Sequence, residues 1–180
     1  MTAVPEDDGC ACRSATMKTA ETQHGTLRTR PEAESDAAFL LALHESVKGA
    51  EFALMPVSDP VRRQLLNMQF RAMTMSYRSG FPAGRFEVIT LNEAPIGRLI
   101  TDRGAGRFHI VYVALLPEWR SKGIGTVLMT SVLDEPRRRG VPCEATVAVD
   151  NLASLRLWSR LGFTEQRRDI ADIVLEWRPD

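Results

Sequence analysis

Residues 120–125 read Arg-Ser-Lys-Gly-Ile-Gly just before a helical pattern, and these residue types at this spacing suit the cradling of an anion. Gly123 and Gly125 have no Cβ to hold a phosphate away, while Arg120 and Lys122 bring positive charge. The first N–H groups of a helix lack intrahelical partners and favour negative charge, so the run from Arg120 through Ser121, Lys122, Gly123, Ile124 and Gly125 to Thr126 is a candidate pyrophosphate site. A turn that uses glycine only for backbone reasons is the plain alternative. A dinucleotide fingerprint is excluded because Leu128 stands where its third small residue belongs, and a Walker loop because no Gly-Lys-Ser/Thr occurs.

The elements that position this loop follow from periodicity. Ile110 to Val113 is β-branched and aromatic, and Pro117 ends any ladder, so 108–116 reads as a strand. Val127, Leu128, Ser131 and Val132 recur at helical spacing, giving a helix over 123–139 whose basic end, Arg137 to Arg139, answers the helix dipole. A strand over 141–149 and a helix over 152–161 follow. Upstream, Gly25 to Arg30 alternates as a strand, and Phe39, Leu40, Leu43 and Val47 mark a helix over 35–47 capped by Ser35 or Asp36. Asp59 caps a second helix that Gly80 ends, with Leu66, Phe70, Met73 and Tyr77 on one stripe and Leu65, Met68, Ala72 and Met75 broadening it. The methionines read first as core filling and second as a pliable acceptor-binding wall. Strands over 86–91 and 94–101 turn at Asn92-Glu93, Gly104-Ala105-Gly106 turns into 108–116, and 163–168 with 170–177 forms a closing pair. The connection between strands 108–116 and 141–149 contains a helix, which calls for a parallel, right-handed crossover.

This order of motifs resembles the GNAT superfamily of acyl-CoA-dependent N-acyltransferases. The matching residues are Val113 and Leu115 on the strand, Arg-x-x-Gly-x-Gly at 120–125, and Asn151-x-x-Ser154-x-x-Leu157-Trp158-x-x-x-Gly162-Phe163. The resemblance implies a mixed α+β fold: a central, mostly antiparallel twisted sheet with about four flanking helices and a parallel splay between the fourth and fifth strands. It implies acetyl-CoA as cosubstrate, with the backbone of Val113 and Leu115 on the pantetheine and thioester, residues 120–126 on the phosphates, Asn151 on the pantetheine arm, and direct transfer to an amine. A backbone N–H near Val113 would polarise the thioester carbonyl. Asn151 is equally suited to cap the next helix.

An ammonium of pKa about 10.4 must lose its proton before it attacks, so such an enzyme profits from a base. His109 is the first candidate, four residues before Val113 on the strand where some members carry a glutamate base; a packed or solvent-facing histidine is the plain reading. Tyr112 is the second. Strand alternation puts it on the face opposite His109, so only one of the two is expected to face the cleft. Trp158 departs from the family pattern, which often has a tyrosine there to protonate the departing thiolate. An indole is no practical acid, so Trp158 reads as packing against the cofactor arm or the core, with Ser159, Tyr112 or water as substitutes.

At 180 residues and 44% hydrophobic content the chain suffices for one domain, read as 24–180 after a flexible polar tail at 1–23 in which Met17 is an alternative start. With 23 basic and 23 acidic side chains there is no broad field for nucleic acid. No apolar run approaches the ~20 residues of a membrane span, and the beginning lacks a signal-peptide pattern. Cys10, Cys12 and Cys143 make neither a disulfide framework nor a metal pattern, so no metal and a reducing cytoplasm are expected. Glu45, Glu51 and Glu87 read as surface charges or as groups that draw a cationic acceptor. The expected function is a cytoplasmic N-acetyltransferase acting on a primary amine of a small molecule or polypeptide. The other reading is a catalytically silent acyl-CoA-binding sensor or regulatory module, and a homodimer is left open.

Overall fold

The computed structural model describes residues 19–179; Cys10, Cys12 and Met17 lie outside the described residues. The elements in chain order are β1 (Thr19–Thr22), β2 (Gly25–Pro31), α1 (Ala37–Ala53), α2 (Asp59–Gly80), β3 (Arg85–Leu91), β4 (Ala94–Arg103), β5 (Phe108–Leu115), α3 (Ile124–Arg139), β6 (Cys143–Ala148), α4 (Leu152–Arg160), β7 (Thr164–Arg168) and β8 (Asp172–Trp177). The strands form one sheet in the order β1-β2-β3-β4-β5-β6-β8-β7, antiparallel throughout except for the parallel pair β5 and β6. The mixed α+β expectation therefore holds.

β1 corrects the expected tail. Thr19–Thr22 pairs with β2 from Thr19↔Arg28 to Thr22↔Gly25, although its four residues carry no apolar period to announce it. Its presence moves the parallel pair from fourth and fifth strands to fifth and sixth. The Asn92-Glu93 turn is as expected: φ of 48° and 67° gives the left-handed pair that matches the twist of β3 and β4.

The two sheet faces have different cores. Under α3 and α4, Leu27, Ile89, Leu99, Phe108, Met129 and Leu133 belong to one buried cluster that also holds Trp158 and Phe163. Each such side chain contributes about 1.5–3 kcal/mol on burial. α1 packs against α2, β4 and β5 on the other face, with Leu40, Leu43 and Leu66 buried.

Both of these helices depart in detail from expectation. α1 runs on to Ala53 instead of ending at 47, and the Asp36 carboxylate does not cap it. Asp36 accepts two 2.7 Å bonds from Arg30 and one from the Ala33 N–H, which hold it below the usual carboxylate range. Ser58, not Asp59, occupies the cap position of α2. Met68 and Met75 are 60% and 70% exposed, so the broadened stripe is not core; only the side holding Leu66, Phe70, Met73 and Tyr77 turns inward.

Gly97 marks a close approach of β4 to β5. A Cβ there would stand 2.3 Å from the Ala114 carbonyl oxygen, a backbone atom that yields only if β5 moves. Gly97→Ala is expected to lower stability in urea unfolding by about 1–3 kcal/mol. Gly106→Ala, which meets nothing within 4 Å, is expected to stay within about 0.5 kcal/mol.

Candidate functional site

β5 stays paired with β4 as far as Leu115↔Gly97, but its parallel pairing with β6 stops at Ile110↔Ala145. Beyond that point β6 runs with β8 alone, to Ala148↔Asp172. Residues 111–115 thus present one backbone edge with no strand of the described residues against it. The departure coincides with a bulge: Thr101 pairs with Ile110 and Ile100 with Tyr112, so Val111 is an extra residue in β5.

That bulge overturns the alternation argument about His109 and Tyr112. Their partners, Asp102 and Ile100, are two apart on β4, and the extra residue brings both side chains to one sheet face. His109 meets Phe81 edge-on at 5.4 Å between ring centroids, and Tyr112 meets Tyr77 at 5.8 Å. Tyr77 lies in the last turn of α2 and Phe81 caps it. Burial pushes the His109 pKa below the ordinary 6.5, with Arg107 acting the same way and Glu144 and Asp102 opposing. The imidazole is therefore kept neutral, able to take a proton. Burial also raises the Tyr112 hydroxyl to about 12, which makes it a hydrogen-bond donor and not an anion at neutral pH. The apolar stripe on α2 carried the signal for Tyr77, while Phe81, just past Gly80, had none.

The loop after β5 has the conformation its glycines suggest. Ser121 and Gly123 both take left-handed backbone, φ 58° and 77°, and α3 opens at Ile124 with no side chain capping it. The Val127 N–H bonds the Gly123 carbonyl, and nothing lies within 4 Å of where a Cβ on Gly123 would stand. The N–H groups of Ile124, Gly125 and Thr126 precede the first i→i−4 bond, so the helix start leaves these donors without intrahelical partners, as an anion site would require. Lys122 reaches over the Trp119 ring at 4.8 Å. Arg120 donates from Nε to the Leu115 carbonyl at 2.8 Å, tying the loop to the strand and occupying an acceptor otherwise free for a pantetheine.

Asn151 caps α4, its Oδ1 accepting from the Ser154 N–H at 3.1 Å, which leaves its amide nitrogen for a ligand. Trp158 matches the core-packing alternative. It is 3% exposed and edge-on to Phe163 at 4.8 Å, a core residue that offers a ligand no face. Of the three glutamates, Glu87 is no surface charge: it is buried, accepts from the Thr29 hydroxyl and faces Arg103. Glu51 pairs with Lys48, and Glu45 lines an open groove between α1 and α2.

The model of the acetyltransferase (GNAT) family matches residues 60–163. An uncharacterised N-acetyltransferase of Methanocaldococcus jannaschii is 30% identical over 102 residues, covering 51% of this chain and 42% of that protein's length. The chain thus spans less than half of that relative. Among solved structures, the PaiA N-acetyltransferase of Thermoplasma acidophilum in complex with coenzyme A is similar with a TM-score of 0.63 at 18% identity, covering 84% of this chain and 98% of that one. RimJ of Mycobacterium smegmatis in complex with CoA-disulfide gives 0.64 at 18% identity, with 90% and 86% covered. These likenesses support the fold.

The lowered pKa makes a measurable statement. By NMR the His109 ring is expected to titrate below 6.5; a midpoint at or above that value would mean that burial does not dominate. Because the folded value is the lower one, His109 contributes stability above pH 6.5 that is lost as pH falls through the folded pKa.

Proposed function

Because the chain belongs to the acetyltransferase (GNAT) family, we propose that it transfers an acetyl group from acetyl-CoA directly to a primary amine of a small molecule or polypeptide. The observation that carries this reading is the unpaired edge of β5 at 111–115, flanked by the left-handed loop at 121–123 and by His109 and Tyr112 on one face. Coenzyme A in two structurally similar proteins supports the choice of cosubstrate. Acetyl-CoA supplies an acyl group already activated as a thioester.

The protein's part divides among few groups. The N–H groups at the start of α3, with Lys122, hold the pyrophosphate, and the Asn151 amide meets the pantetheine arm. The Val113 N–H donates to the acyl carbonyl and favours the charge that develops there. His109, neutral at pH 7, takes the proton that the amine must lose, directly or through a water. Tyr112, protonated, orients the acceptor by donating a hydrogen bond. A cytoplasmic setting is part of the proposal.

Saturating acetyl-CoA is expected to raise the melting temperature of the wild type and not that of Gly123→Glu, whose carboxylate would fill and repel in the phosphate cradle. With an amine that is turned over, thiol release should fall about 10²–10⁴-fold in His109→Ala and persist in Tyr112→Phe. The wild-type rate should decline only below pH 6.5, where His109 protonates. Binding without turnover across an amine panel would favour the silent acyl-CoA-binding module instead.

A further inference from the structure

Seven large apolar side chains stand exposed among the described residues, and five of them, Leu54, Met55, Val61, Met68 and Met75, fall on the corner between α1 and α2 and on the outer face of α2. Contiguous apolar surface of this kind marks an interaction site. α2 is apolar on two opposite sides. Leu66, Phe70, Met73 and Tyr77 face the domain, while Val61, Leu65, Met68, Ala72 and Met75 recur in steps of four and three along the other side. That alternation is the seam by which one helix packs along another. The corner is held open beside it: Arg62 donates to the Phe52 and Val57 carbonyls at 3.0 and 3.1 Å, fixing a turn in which Leu54 is 87% exposed.

The flanks of the seam say what fits it. They carry guanidinium and amide groups, Gln64 and Arg71 on one side and Arg62 and Gln69 on the other. An anionic membrane would suit the arginines, yet the seam lacks the aromatic anchors of an interfacial helix, since Phe70 and Tyr77 turn inward against His44 and Tyr112. A second α2 laid antiparallel, with the two-fold axis between the levels of Leu66 and Asn67, meets both the seam and its flanks. Val61 then lies against Ala72 of the other copy and Leu65 against Met68, while Met75 reaches the other copy's corner at 54–58. Gln64 falls beside Arg71 and Arg62 beside Gln69, so an amide faces each guanidinium and no like charges are opposed.

We propose that the outer face of α2 is a homodimer interface in which two copies pair antiparallel along Val61, Leu65, Met68, Ala72 and Met75. The pairing does not depend on the acetyl-transfer reading. It bears on the same site, because the inner side of α2 carries Tyr77, and Phe81 caps the helix, against Tyr112 and His109. A second copy therefore steadies the helix from behind that wall.

Sedimentation velocity of the full chain over a concentration series tests it. The seam spans only ~21 Å of helix, so a reversible dimer with Kd of about 1–100 μM is expected. Met68→Glu should weaken the dimer at least about thirtyfold, with the melting temperature of the dilute protein unchanged because Met68 is 60% exposed. Gln64→Glu, set beside Arg71 of the other copy, should tighten the dimer and Gln64→Arg should loosen it, each by about two- to tenfold. A monomer at every concentration, a dimer that Met68→Glu leaves intact, or Gln64 variants that shift association in the same direction overturns the proposal. So does a monomer that floats with phosphatidylserine vesicles through Met68, which would assign the seam to an anionic membrane.

Discussion

The site depends on one extra residue in one strand. A strand can pair on both edges only while its pleat keeps step with both neighbours, and a one-residue slip sends every later side chain to the other face. Val111 introduces that slip in β5 against β4, and the parallel ladder to β6 ends at the residue before it. Two consequences follow together: a backbone edge is freed beside α3, and Tyr112 turns to the face of His109. An unbulged β5 would have neither an open edge nor two polar side chains against α2.

The electrostatics divide along the same line. On the loop side the chain presents donors, the uncapped start of α3 and Lys122, with Arg120 committed to the Leu115 carbonyl. On the α2 side burial holds His109 neutral and Tyr112 protonated, the states that the proposed proton transfer requires. In the proposed transfer, Trp158 supplies no acid for the departing sulfur. With cysteine's pKa of about 8.5 as a guide, a bare thiolate leaving near pH 7 costs only about 2 kcal/mol, so the indole is tolerable where it also fills the core. Its contact with Phe163 makes Trp158 part of the packing that fixes α4, and with it Asn151, beside the loop.

Much of this was legible in the sequence because it is local. The glycine loop, the Asn92-Glu93 turn, the helix opening at Ile124 and the cap at Asn151 each rest on a few neighbouring residues whose preferences agree with the fold. What stayed hidden depends on pairing across the chain. The bulge at Val111 leaves no mark on the hydrophobic pattern, and the face of Tyr112 follows from it. β1 exists because β2 offers it an edge, and Asp36 left its cap for Arg30, a partner from another element. Met68 and Met75 share helical spacing with the inward stripe but fall on its outer flank, a distinction that only the angle at which α2 is seated can make. Arg98 is paired with Glu32, 66 residues away, a partner that no local pattern announces.

Amide chemical-shift mapping of the ¹⁵N-labelled protein during titration with coenzyme A tests the central claim most directly, because it reports each backbone N–H separately. The account predicts the largest perturbations at Gly123 to Thr126 and along Val111 to Leu115, with β1 and the outer face of α2 unchanged. Saturating coenzyme A that left those two segments unshifted, or that shifted residues elsewhere instead, would contradict it.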